Sequence, residues 1–288
     1  MRRACIDIGS NTTRLLVADC VDGGLLECRQ ERAFTQIGRS LDAGGAIPVT
    51  KLAEVAAAVR GQLAIAREMG ATQIRCVATA GVRRAGNGAA LVALIRASCG
   101  GLEVEILTDA EEARFAFIGA AWGAGALGEG NIGVVDAGGG SSELVVGTGP
   151  DHVQWWESLP IGSADVTHRW LPSNPPTAAE LGYARERVGA IFADSRPPHV
   201  ERVIAVGGSA TSLRLLAGPV IDADAIAYLL GIVQRFGAVA LAARFGVDVQ
   251  RARLLAGGVL ILEAVCELFE APLEIGRGGL REGLLLAG

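Results

Sequence analysis

The fold follows from a motif near the start of the chain, which reads Ile6-Asp7-Ile8-Gly9-Ser10-Asn11-Thr12-Thr13-Arg14-Leu15-Leu16-Val17. A second copy lies mid-chain and reads Val135-Asp136-Ala137-Gly138-Gly139-Gly140-Ser141-Ser142-Glu143-Leu144-Val145-Val146. Each copy has an apolar run that ends in Asp, then a turn of small residues, then a second apolar run. This order predicts a β-hairpin in each copy, with a carboxylate at the entrance to its tip.

The hairpin tips predict phosphate binding. Glycine lets the backbone approach a ligand closely, and successive N–H groups form a nest for an anion. The predicted phosphate ligands are Gly9, Ser10, Asn11 and Thr12 in the first tip and Gly138, Gly139, Gly140 and Ser141 in the second. Asp7 and Asp136 are predicted to bind Mg²⁺, which takes oxygen ligands and keeps several waters. Alternatively, each Asp caps a turn.

Composition narrows the function classes. Half of the 288 residues are apolar and the net charge is −5, so we expect a large core and no binding to duplex nucleic acid. The six cysteines form no Cys-x-x-Cys pair, which predicts reduced thiols and a cytoplasmic location. The first predicted strand starts too early to leave room for a signal peptide. The apolar run 254–265 is too short to cross a membrane and contains Glu263.

Strands and helices alternate, and the second half repeats the plan of the first. An offset of 129 residues separates Asp7 from Asp136, and the same offset takes the turn 79–81 to 208–210. The sequence therefore predicts an α/β protein of two duplicated domains, 1–123 and 124–288, with a cleft between them. The Gly-rich break 123–130 marks the predicted boundary, and the final helix could pack back on the first domain. One helix is predicted from Thr50, its N-cap, to Met69.

Three further segments contain candidate residues. Gly208 and Ser209 precede a predicted helix at 213–216, so they fit an anion site or a plain strand–helix turn. Arg83 could bind a phosphate with two parallel donors. Acidic residues in a first helical turn favour the helix dipole, and this pattern alone does not separate Glu112 from its neighbours. The chain lacks a Gly-x-x-x-x-Gly-Lys-Ser/Thr motif, which disfavours a P-loop nucleotidase.

Together these residues resemble the exopolyphosphatase/guanosine pentaphosphate phosphohydrolase family, within the superfamily of actin, hexokinase and heat-shock ATPases. The similarity runs nearly end to end and also includes the segments 77–87, 106–114, 158–162, 205–211 and 278–283. It implies two ribonuclease-H-like, actin-like ATPase domains. It also implies that Glu112 is the base acting on the attacking water, that Glu143 joins Asp7 and Asp136 near metal and water, and that Arg83 approaches phosphate.

The resemblance implies a Mg²⁺-dependent exopolyphosphatase that releases terminal orthophosphate from inorganic polyphosphate. Because the chain stops soon after 283, without the added domains of longer members, short polyphosphates are the expected substrate. One alternative is hydrolysis of guanosine pentaphosphate. Another is a non-catalytic sensor of polyphosphate or of a guanosine alarmone, although a sensor needs no base. A kinase of the superfamily fits the segment 111–114 less well. The oligomeric state stays open, with a homodimer as one candidate.

Two positions depart from the family pattern. Arg253 and Arg277 stand where the family commonly has an acid. The added positive charge is expected to favour a polyanion. Alternatively, the changes remove a structural ion pair or mark a different substrate.

Overall fold

A computed structural model describes residues 1–41, 43–126 and 130–288. These residues pack as two compact units: unit 1 combines Met1–Phe115 with Leu280–Gly288, and unit 2 is Ala116–Gly279. Each unit has its own sheet. The domain boundary between 123 and 124 stays a prediction, and residues 127–129 of the predicted Gly-rich break lie outside the described residues.

The elements alternate along the chain as the sequence predicts. The strands are β1 (Arg2–Ile8), β2 (Thr13–Val21), β3 (Gly24–Ala33), β4 (Gln73–Ala78), β5 (Glu105–Ile106), β6 (Ile132–Ala137), β7 (Ser142–Thr148), β8 (His152–Leu159), β9 (Arg202–Val206), β10 (Val220–Ile221) and β11 (Leu273–Ile275). The helices are α1 (Ile37–Ser40), α2 (Val49–Glu68), α3 (Ala80–Arg83), α4 (Gly88–Ser98), α5 (Asp109–Gly123), α6 (Ser163–Trp170), α7 (Ala178–Phe192), α8 (Gly207–Ala217), α9 (Ala223–Arg235), α10 (Ala238–Phe245), α11 (Val249–Phe269) and α12 (Leu280–Leu286).

The sheet of unit 1 has the order β3-β2-β1-β4-β5. β1 is antiparallel to β2 and parallel to β4. Alternate residues of β1 face opposite sides: Ala4, Ile6 and Ile8 join a buried cluster with α2 and α4. Asp7 therefore lies on the other face. Helix α12 also contacts β1, β2 and β3, and its buried leucines are outside the α2 cluster.

The sheet of unit 2 has the order β10-β11-β9-β6-β7-β8, which repeats the unit 1 order and adds an outer strand. Helix α11 contacts α6, α7, α8, α9 and α10 and is buried along most of its length. The apolar run 254–265 thus lies in a protein core. No helix among the described residues combines the length and hydropathy needed to cross a membrane.

The strand register confirms the duplicated hairpin. In unit 1, Asp7 of β1 pairs with Arg14 of β2 and with Val77 of β4. The residues 129 positions later form the same set of pairs: Asp136, Glu143 and Val206. A register slip of one residue would turn every side chain to the opposite face. The two aspartates therefore occupy equivalent places in two equivalent sheets.

Some boundaries differ from prediction. Thr50 is not the N-cap of α2: the helix begins at Val49, and Pro48 precedes it with its carbonyl accepting from the Leu52 N–H at 2.9 Å. Helix α8 begins at Gly207 and not near 213, so the Gly-rich segment is its first turn. Helices α6 and α10 were not predicted, because eight residues carry little helical periodicity.

Candidate functional site

The first hairpin tip is closed by a hydrogen bond from the Gly9 N–H to the Thr12 carbonyl at 3.0 Å. The carbonyls of Ser10 and Asn11 accept from the N–H groups of the 36–38 segment, each at 2.9 Å. Because a trans peptide places its N–H opposite its C=O, the Asn11 and Thr12 amides face away from that segment. The tip thus presents consecutive amides on one side, as an anion nest requires.

The second tip repeats this construction. The Gly138 N–H donates to the Ser141 carbonyl at 3.0 Å, and the Gly139 carbonyl accepts from the Ala164 N–H of α6 at 3.0 Å. A side chain at Gly162 would overlap the backbone of Gly139, so glycine is needed for this close approach. The matching hydrogen bonds confirm that the tips are built alike. Phosphate binding by these residues stays a prediction.

Asp7 lies at the entrance to the first tip. Its Oδ1 is buried and accepts no hydrogen bond from the described residues. Burial raises the pKa of the Asp7 carboxyl, and the positive charges of Arg14 and Arg281 partly offset that rise. A buried carboxylate oxygen without a donor suits a cation or a water as its partner.

Asp136 and Glu143 lie directly opposite each other on β6 and β7, so both side chains are on one face of the sheet. Opposed residues have Cβ atoms about 5 Å apart, and like charges there repel each other. Glu143 is only 3% exposed, and the Ser158 hydroxyl donates to its Oε1 at 3.2 Å. Asp136 packs its Oδ1 against Gly207 at the start of α8. A cation held between the two carboxylates would relieve their repulsion.

The described residues contain no group of three or more His, Cys, Asp and Glu side chains arranged to hold a metal ion. A Mg²⁺ ion does not require such a group, because one or two carboxylates with water and phosphate oxygens complete its octahedron. The opposed pair of Asp136 and Glu143 therefore fits Mg²⁺. The assignments of Asp7 and Asp136 as metal ligands remain predictions.

Arg83 and Glu112 come together in unit 1. Glu112 lies in the first turn of α5 and is 7% exposed. Arg83 Nη1 donates to Glu112 Oε2 at 3.0 Å and to the Leu107 carbonyl at 2.6 Å. Arg83 Nη2 forms an ion pair with Asp109. Arg83 thus fixes the Glu112 carboxylate, while its predicted contact with phosphate stays a prediction.

The structure separates Glu112 from Glu111, which the sequence pattern did not. Glu111 is exposed and accepts from the Thr108 N–H at 2.8 Å and from the Thr108 hydroxyl at 2.7 Å. These hydrogen bonds, the backbone bond first, lower the pKa of Glu111. Glu111 therefore caps the start of α5, and the buried Glu112 is the stronger candidate for chemistry.

Gly208 and Ser209 lie in the first turn of α8, which directly follows β9. The Gly208 carbonyl accepts from the Ser212 hydroxyl at 2.8 Å, within the helix. A Cβ at Gly258 would lie 3.0 Å from the Cβ of Ser209, so the packing of α11 against this turn depends on a small residue. The first turn is packed closely against α11, and anion binding there stays a prediction.

Three arginines acquire roles that sequence analysis did not assign. Arg14 lies directly opposite Asp7, and Arg281 of α12 donates to the Leu15 carbonyl at 3.2 Å. Pairing along the predicted hairpin could have identified Arg14, whereas only the folded chain brings Arg281 to β2. Arg253 donates to the carbonyls of Leu171 and its neighbour at 2.9 and 3.1 Å, just past α6. Its guanidinium therefore binds the backbone carbonyls that follow the C-terminal end of α6.

Comparison with known proteins gives consistent matches along the chain. The sequence model of the Ppx/GppA phosphatase family matches residues 16–287. Exopolyphosphatase 1 of Mycobacterium tuberculosis is 29% identical over 308 residues, covering 99% of this chain and 88% of that protein. Exopolyphosphatase 2 of the same organism is 30% identical over 286 residues, covering 91% of this chain and 89% of that protein. A crystal structure of the Aquifex aeolicus member of the Ppx/GppA family aligns with a TM-score of 0.83 and 29% identity, covering 100% of this chain and 97% of that chain.

Proposed function

Because the chain belongs to the Ppx/GppA phosphatase family, we propose that it is a Mg²⁺-dependent exopolyphosphatase that releases terminal orthophosphate from inorganic polyphosphate. The chain has the two-domain actin-like fold of the family and is a hydrolase of phosphoanhydride bonds. The observation that carries the proposal is the opposed pair of Asp136 and Glu143 beside the tip of three glycines. This arrangement suits a metal-bound phosphate chain.

Phosphoanhydride hydrolysis depends mainly on positioning and on neutralising the charge of the transferred phosphoryl group. The amides of the two hairpin tips would bind phosphate oxygens without bringing a competing base. Mg²⁺, when bound at Asp136 and Glu143, would neutralise phosphate charge and orient the leaving oxygen. In unit 1, the buried Oδ1 of Asp7 offers an oxygen for a cation or a water.

Hydrolysis also needs an oriented water molecule, and we assign the orientation and deprotonation of this water to Glu112. The Glu112 carboxylate is buried and held by Arg83, so its orientation is fixed before substrate binds. An oriented carboxylate can accept the proton of the attacking water. Arg83 therefore acts on this step as a positioning residue.

The first experiment measures orthophosphate release from four substrates in the presence of Mg²⁺. These are short polyphosphate, long polyphosphate, guanosine pentaphosphate and ATP. We expect release from polyphosphate, and the ratio of kcat/KM for the short and the long chain measures the preference for chain length. Release from guanosine pentaphosphate alone would replace the proposed substrate. A protein that binds polyphosphate and releases nothing would be a sensor.

The second experiment tests the assigned base. We expect Glu112→Gln to lose about 10²–10⁴ in kcat, the usual effect of removing a general base. Glu111→Gln is the matched control, because it removes the same charge at the next residue, and the Glu111 side chain caps the start of α5. Circular dichroism should show both variants folded. Equal kcat values for the two variants would remove Glu112 from the mechanism.

A further inference from the structure

The parallel strands of unit 2 bring three chain segments to one edge of the sheet. β9 is parallel to both β6 and β11, so their carboxyl ends share this edge. There lie Asp136 near the end of β6, the first turn of α8 after β9, and the segment 276–279 after β11. Ligands of open α/β sheets bind outside the carboxyl ends of such strands.

The backbone of the segment 276–279 is held in place. The Gly276 N–H donates to the Ala205 carbonyl at 2.9 Å and extends the pairing of β11 with β9. A Cβ at Gly276 would lie 2.6 Å from Ile204, so the segment packs tightly on β9. At its other end, Gly279 lies beside Asp136: a Cβ there would be 3.8 Å from Asp136 Oδ2. The segment therefore passes next to the carboxylate assigned to Mg²⁺.

Arg277 is the charged residue of this segment. Its side chain is exposed and forms no hydrogen bond or ion pair with any residue that the structure describes. Other arginines of unit 2 differ: Arg214 donates to the Ile275 carbonyl at 2.9 Å, and Arg253 donates to carbonyls after α6. A guanidinium with all five donors available recognises phosphate through two parallel hydrogen bonds.

We propose that Arg277 binds the third phosphoryl group of the polyphosphate chain, counted from the end that is hydrolysed, and thereby favours chains longer than a diphosphate. This inference rests on the proposed function, because it requires a polyphosphate chain whose end lies by Asp136. The terminal phosphoryl group and its neighbour would lie by the metal carboxylates, and the third group along the chain would reach the guanidinium. Diphosphate has no third phosphoryl group, so it gains nothing from Arg277.

The test compares Arg277→Gln with wild type on diphosphate, triphosphate and a longer inorganic polyphosphate. We expect KM for the two longer substrates to rise about 10-fold, as for the loss of one charge-assisted contact. The kcat values and the KM for diphosphate should stay within about twofold. Arg277→Lys should recover part of the affinity, because it keeps the charge and loses the paired donors.

The matched control is Arg60→Gln, which removes an exposed arginine of α2 that also lacks a partner among the described residues. It should leave every KM unchanged. Unchanged KM values in Arg277→Gln, or equal rises for all three substrates, would overturn the inference. Calorimetric binding of triphosphate to both variants in the Glu112→Gln background tests Arg277 without turnover. Wild type that binds triphosphate but releases no phosphate from any substrate would instead defeat the proposed function.

Discussion

Gly207 links the backbone of α8 to the position of Asp136, and Gly207→Ala tests that link. Gly207 has φ +88°, a conformation that costs about 1–3 kcal/mol for a residue with a side chain. An added Cβ would also overlap Asp136 Oδ1, which must retreat by about 1 Å to regain the ordinary contact distance of 3.4 Å. A 1 Å misplacement of a reacting group can cost about 10² in rate. We therefore expect Gly207→Ala to lose about 100-fold in kcat.

Gly218→Ala is the matched control. Gly218 ends the same helix at φ +90°, and a Cβ there would meet nothing within 4 Å. Both variants should lose stability in urea unfolding because both place a side chain at a positive φ, and Gly207→Ala should lose more because of its overlap with Asp136. Phosphate release under saturating substrate, with a Mg²⁺ titration, then isolates the effect on Asp136. Equal kcat and equal Mg²⁺ dependence in the two variants would show that Asp136 does not depend on Gly207.

Three further expectations follow from single contacts. Mg²⁺ should raise the unfolding temperature of wild type and should not raise that of Glu143→Gln. Without metal, the unfolding temperature of Glu143→Gln should equal or exceed that of wild type, because the variant lacks the repulsion between two like charges. Hydrogen bonds from the Thr177 backbone, with smaller side-chain contributions, lower the pKa of Glu180 from 4.5. The stabilising effect of Glu180 over Glu180→Gln should therefore be full at pH 7 and vanish in urea melts as the pH falls below 4.5 through the lowered folded pKa. Arg253→Gln should lose about 1–2 kcal/mol of stability through two carbonyl contacts and keep its KM for polyphosphate.

The hairpins could be predicted from sequence because their signals are local. An apolar run, a carboxylate and a small-residue turn specify strand, entrance and tip without reference to the rest of the chain. The offset of 129 residues then predicted equivalent places for Asp7 and Asp136, which the register confirms. The start of α8 was misplaced for the opposite reason: glycine disfavours a helix locally, and the close packing of α11 on this turn overrides that preference.

The side-chain partners were harder to predict, because they join residues far apart in sequence. Arg83 lies 29 residues before Glu112, and no spacing rule connects a strand–helix turn with the start of a later helix. The same limit applies to Arg253, whose carbonyl partners lie about 80 residues earlier. Charge at these positions was visible in the sequence. Whether the charge meets a ligand or a backbone carbonyl depends on packing that only the fold defines.

The two copies of the hairpin differ at the residue that faces the aspartate. This difference predicts different contributions of the two copies to Mg²⁺ binding and phosphate binding. Asp7 faces Arg14, and Arg281 adds a second positive charge, so the first copy already contains cations that favour its carboxylate. Asp136 faces Glu143, so the second copy places two negative charges side by side on one face. A divalent cation gains more from the second arrangement, because it replaces a repulsion by two attractions. Mg²⁺ affinity should therefore depend more strongly on Glu143 than on Asp7. Reversal of the charge at Arg14, as in Arg14→Glu, should change the affinity for phosphate more than the affinity for Mg²⁺.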